Sequence, residues 1–168
     1  ATRVQMTLNG GTTSADYCNI QQTLTIKSGL PYTYSVWLKS NTSSTYSVLM
    51  RDDSATSSTQ QVLVVTPTWQ RFTLTGISTS TTSRGVKLWL RGTLGTSATA
   101  DILTWGGQMQ QGGQLSAYNP TTSAAAFGIR VGYKPVTLTN RGQLIEQGST
   151  NLMFPSQSLV GWSANGTP

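Results

Sequence analysis

Apolar side chains recur at every second position of this chain, in short runs that a helix could not use. From Tyr32 to Lys39, one face carries Tyr32, Tyr34, Val36 and Leu38, and the other Thr33, Ser35, Trp37 and Lys39. Gly85–Arg91 repeats the pattern, with Val86, Leu88 and Leu90 set against Lys87, Trp89 and Arg91. In Gln70–Gly76, Phe72 and Leu74 alternate with Arg71 and Thr73. Successive side chains of a strand point to opposite faces, so each run describes a strand with one face turned to a core. No window sustains the 3.6-residue period of a helix. Ser123–Phe127 offers one helical turn at most.

Eight such runs are legible: Val4–Leu8, Asn19–Ile26, Tyr32–Lys39, Tyr46–Arg51, Gln60–Val65, Gln70–Gly76, Gly85–Arg91 and Ala100–Gln110. Ser, Thr, Gly, Asn and Asp fill the gaps between them, which is the chemistry of turns. Strands with one apolar face must bury it, and two antiparallel sheets packed face to face do so. The pattern predicts an all-β, antiparallel jelly-roll β-sandwich of about eight strands over residues 1–122. Past residue 122 the pattern changes. Phe127–Val131 and Val136–Thr139 read as a hairpin turning at Gly132–Pro135, Asn140–Thr150 as a polar linker, and Asn151–Trp162 as a new apolar start. Residues 123–150 are therefore expected to be hairpin and linker, and 151–168 the first strand of a further module or an exchanged strand. The abrupt beginning and end lead us to expect a fragment of a longer chain.

Composition excludes several classes of function. The 168 residues include no His, one Cys and five acids, against eleven Lys and Arg, for a net charge of +6. Without His there is no Ser-His-Asp or Cys-His catalytic set and no His-containing zinc site. Cys18 has no partner for an internal disulfide, and is expected as a small core residue. Asp52 and Asp53 are the only adjacent acids. On an extended backbone they point apart, whereas paired glycosidase carboxylates face each other across roughly 5–10 Å. No catalytic residue and no metal ligand is assigned, and the chain is not expected to be an enzyme. The eleven cations stand singly, unlike the clustered charge of a nucleic-acid surface. No apolar stretch approaches the about 20 residues that a spanning helix needs. Neither nucleic acid nor membrane insertion is expected.

Trp37 and Trp89 stand out because both fall on the polar phase of well-patterned strands, beside Lys39, Lys87 and Arg91. Flat aromatic rings stack on sugar C–H faces, and cations and amides hydrogen-bond the hydroxyls. These five residues are the candidates for a glycan site or a subunit interface, with ordinary packing as the third reading. Trp69 is expected at the edge of the core. Trp105 is expected inside it, since it shares a phase with Leu103 and Met109. Gln108, on the opposite phase, is expected to hydrogen-bond exposed backbone.

Four segments, in order, carry a resemblance. Ser28–Lys39 (SGLPYTYSVWLK), Val65–Thr73 (VTPTWQRFT), Trp105–Gly112 with Tyr118–Thr122 (WGGQMQQG and YNPTT), and Gly142–Leu152 with Ser156, Gln157 and Trp162 resemble carbohydrate-binding-module-like jelly-roll domains of bacteriophage tail and fibre proteins. The resemblance covers most of Gln21–Trp162. Gln110 stands where that family usually has an acid, and 1–122 lacks the family's opening strand, which Asn151–Trp162 resembles. The resemblance implies a structural protein of the virion surface, a β-sandwich module of a fibre or tail appendage that adheres to host surface glycan. Other virion subunits and a homotrimer are the implied partners. The alternative is a carbohydrate-binding module of a secreted polysaccharide-active enzyme. No cofactor is implied beyond the structural calcium such sandwiches often hold. Asp101 opens a strand, but calcium needs six to eight oxygens, and five scattered acids do not supply a strong site.

Overall fold

A computed structural model describes residues 1–8, 16–53, 59–79, 81 and 83–121, together with the strand backbone of 126–127, 130–133, 140–144, 150–151 and 163–166. Eight strands build the body: β1 (Thr2–Thr7), β2 (Cys18–Thr25), β3 (Pro31–Ser40), β4 (Tyr46–Asp52), β5 (Thr59–Val65), β6 (Gln70–Ile77), β7 (Ser83–Leu90) and β8 (Thr99–Gln111). Each lies within about two residues of a predicted run, as expected where period-two patterning is clean. Five shorter strands follow: β9 (Ala126–Phe127), β10 (Arg130–Tyr133), β11 (Asn140–Leu144), β12 (Thr150–Asn151) and β13 (Ser163–Gly166). A single 3-10 turn at Gly92–Leu94 joins β7 to β8, and there is no α-helix among the described residues.

The chain is an all-β antiparallel jelly roll. One sheet has the order β1-β8-β3-β6, and the other β13-β2-β7-β4-β5. Strands 1, 8, 3 and 6 facing 2, 7, 4 and 5 is the order of a jelly roll, in which consecutive strands mostly alternate between sheets. The core is the space between them. Tyr34, Val36 and Leu38 of β3 meet Met50 of β4, Leu88 and Leu90 of β7 and Ile102 of β8, all at most 1% exposed. The inward positions of β3 and β7 are those expected from alternation. Cys18 is half-buried and packs against this core.

Two features depart from a purely apolar interior. Asp52, at the last inward position of β4, is buried, and the hydroxyl of Tyr34 is buried without a hydrogen-bond partner. Burial, with the charge of Asp52 added, pushes the Tyr34 phenol well above its usual range. Asp53 faces outward, so the two neighbouring acids are on opposite sides of their sheet.

The tail differs from the expectation in detail. The hairpin that forms is a different one: Arg130–Tyr133 pairs with Asn140–Leu144, inside the run read as a polar linker, while Ala126–Phe127 pairs with Thr150–Asn151 and 136–139 lie outside the described residues. Residues 152–162 of the expected exchanged strand also lie outside them. Asn151 pairs with Ala126, and the next described strand, β13, adds to the edge of β2 through Ser163–Gln21 to Gly166–Cys18.

Candidate functional site

The outer face of the β1-β8-β3-β6 sheet carries the aromatic surface. Trp37 points outward from β3. Its cross-strand neighbours are Arg71 on β6 and Trp105 on β8. Trp69, two residues before Arg71, joins them just ahead of β6. Trp37, Trp69, Trp105 and Ala1 line an open cavity of about 420 Å³. Trp69 is 37% and Trp105 36% exposed, unusual for the largest apolar side chain. The Trp37 and Trp105 ring centroids are 6.3 Å apart at 51°, and Tyr118 packs on Trp105 at 4.8 Å and 52°. Both separations suit tilted aromatic pairs.

Trp105 is therefore not a core residue, and the cause is a β-bulge. Ser35 pairs with Gln108 and Trp37 with Trp105, so Gly106 and Gly107 together oppose Val36. One extra residue reverses the phase of β8. Ile102 and Thr104 are buried before the bulge and Met109 after it, so Trp105 and Met109 share odd numbers but opposite faces. Gly106 holds φ at +65°, where a side chain is strained, and a Cβ there would stand 3.1 Å from Trp37 Cδ1. Trp69, expected at the core edge, lies in the turn between β5 and β6 and is 37% exposed. The paired glycines inside a strand were the sequence signal that could have located Trp105 on the outer face.

A polar belt fixes this surface. Gln108 and Gln110, both 1% exposed, lie on the outer phase beneath the chain that follows β8. Gln108 Nε2 donates to Gln110 Oε1 (2.6 Å) and Ser116 Oγ (2.9 Å), and Gln108 Oε1 accepts from the Asn119 N–H (2.9 Å). Arg71 donates to Ser116 O and Ser35 Oγ, both at 3.0 Å. These bonds hold Tyr118 against Trp105. The next row across the sheet is Lys39, Leu103 and Arg3. Arg3 grips Asp101 with two hydrogen bonds, of 2.9 and 2.6 Å, and Asn41 adds a third donor. The Arg3 hydrogen bonds hold the Asp101 carboxyl below the usual carboxylate range. Among the described residues no three His, Cys, Asp or Glu side chains come together as metal ligands.

Trp89 lies elsewhere. It faces outward from β7 in the other sheet, so the sandwich separates it from Trp37. Lys39 stays with Trp37, and Lys87 and Arg91 go with Trp89. Trp89 is only 7% exposed. Arg51 and Arg91 lie 5.1 Å and Lys87 Nζ 5.4 Å from its ring, and Tyr17 meets it edge-on at 5.9 Å. Those distances are in the cation–π range. Asp53 pairs with Arg51 and, at 2.5 Å, with Lys87. This ring is covered by cations and offers no flat face to a sugar. The five residues picked from the sequence thus fall into two groups on opposite outer surfaces.

No protein-family model matches this chain, and no curated protein does.

Proposed function

We propose that the chain is a non-catalytic module of a virion appendage whose β1-β8-β3-β6 face holds a host surface glycan. The observation that carries the reading is the open cavity between Trp37, Trp69 and Trp105. Three indoles around one shallow space fit the apolar faces of successive pyranose rings. Lys39 and Arg3, in the next row, are donors for hydroxyls. Such a platform binds weakly, with a dissociation constant on the order of millimolar to micromolar, and relies on repetition in the particle for avidity. The four phage-like segments support the virion setting. The lack of His and the divergence of Asp52 from Asp53 support a role without chemistry.

The test is retention on immobilised bacterial surface polysaccharides. Trp37→Ala and Trp69→Ala should each lower retention by at least about tenfold while the thermal midpoint stays near that of the parent chain. Retention unchanged in the double variant would rule the platform out.

A second reading has its own support. Val62 (39% exposed) and Val64 (57%) on β5, and Ile77 (60%) on β6, sit on strands at the sheet edges. Uncharged edges of this kind are usually covered, and we propose that neighbouring copies in a trimer cover them. Light scattering decides: a monomeric mass at all concentrations would contradict it.

A further inference from the structure

The cluster around Trp89 has more positive charge than the packing of one indole needs. Three cations approach a single ring and repel one another there. Asp53 bridges Arg51 and Lys87. Arg91 forms no ion pair among the described residues, and its Nε is buried without a hydrogen-bond partner. Yet Arg91 is half-buried rather than extended into solvent, where its charge would be fully hydrated. A guanidinium held in that position and left unneutralised is suited to an oxyanion, which it can bind through two parallel hydrogen bonds. Lys87 Nζ and Arg91 lie against the same ring, 5.4 and 5.1 Å from its centre, so their charges converge on one patch of the surface.

We propose that Arg91 and Lys87, seated on Trp89, form an anion subsite for the carboxylate of an acidic saccharide. It lies on the face of the sandwich opposite the indole platform and does not depend on that platform's function. Asp53 has a positioning role: by holding Lys87 and Arg51 it keeps both cations on the ring, and it lowers the local repulsion that an empty site would otherwise carry.

The test uses the full chain and the side-chain N–H resonances of Trp89 and Arg91. Trigalacturonic acid is the probe, neutral galactotriose the uncharged control, and a short oligothymidylate the competing polyanion. Trigalacturonic acid should shift both resonances saturably within about 10 mM, and more weakly as salt rises. Galactotriose should not shift them. Arg91→Gln and Lys87→Gln should each weaken binding roughly tenfold, and Trp37→Ala should leave it unchanged. Absence of saturation, affinity in both Gln variants equal to that of the parent chain, or shifts centred on Trp37 would overturn the proposal. Tighter binding of oligothymidylate at the same resonances would overturn the saccharide assignment. Because Arg91→Gln could disturb the loop at Thr96, which accepts the Arg91 backbone N–H at 2.7 Å, Lys87→Gln provides the independent arm.

Discussion

Trp37 and Trp105 face each other across β3 and β8, ring centroids 6.3 Å apart, because Gly106 lets β8 bulge beside them. The bulge does two things at once. It turns Trp105 outward, and it leaves a space 3.1 Å from Trp37 Cδ1 that only a hydrogen fills. The aromatic platform depends on a residue that has no side chain.

Gly106→Ala should therefore cost about 1–3 kcal/mol, from strain at φ +65° and from pushing Trp37 aside. Gly113→Ala, where a Cβ meets nothing within 4 Å, should be close to neutral. Chemical denaturation of both variants checks this. Equal stabilities would show that the bulge can relax elsewhere.

The glutamine belt predicts a different loss. Gln108→Ala removes the acceptor of the Asn119 N–H and the donor to Ser116 Oγ, both in a partly buried setting. We expect a destabilisation of about 1–3 kcal/mol. Protection of the Asn119 amide from hydrogen exchange should fall with it. Full protection in the variant would mean that Arg71 and Gln110 suffice to hold the segment after β8.

Core and edge should respond in opposite ways to truncation. Leu88→Ala empties a fully buried position between the sheets and should cost about 2–5 kcal/mol. Val64→Ala, 57% exposed, should change monomer stability by less than about 0.5 kcal/mol. A large effect of Val64→Ala that grows with protein concentration would reveal a contact between copies.

The Arg3–Asp101 pair makes a pH prediction. The folded Asp101 carboxyl titrates below its unfolded value, so its contribution is present above the unfolded value and lost as pH falls through the folded one. A carboxylate-detected NMR titration should place Asp101 below an ordinary aspartate. In Arg3→Gln the midpoint should rise, but not fully, since Asn41 and Gln5 remain as side-chain donors. No change on removing Arg3 would contradict the assignment of the shift to that contact. The pair is solvent-exposed, so the effect on global stability should be small.

Most of the architecture was legible in the sequence. Alternation located the eight strands and, apart from β8, their inward residues, because the side-chain period of a strand is local and leaves its mark on each run. Turn chemistry separated the runs. The outward phase of Trp37 and Trp89 was equally plain. Their grouping was not. Alternation tells which residues share a face of one strand, and says nothing about which strands share a sheet.

Three decisions belonged to the tertiary structure. Sheet order placed Trp37 and Trp89 on opposite sides of the sandwich, through pairings between residues as distant as Trp37 and Trp105. The bulge at Gly106 reversed the phase of β8, so that Trp105 left the core that its numbering shared with Met109. Packing then closed Trp89 under Arg51, Lys87 and Arg91, and left Trp69 and Trp105 open. The sequence by itself determined the fold class and the inner faces of the unbulged strands, since those follow from local geometry and the burial of apolar side chains. Which tryptophans form a surface was decided by long-range strand pairing and one extra residue in a ladder, neither of which has a local period to read.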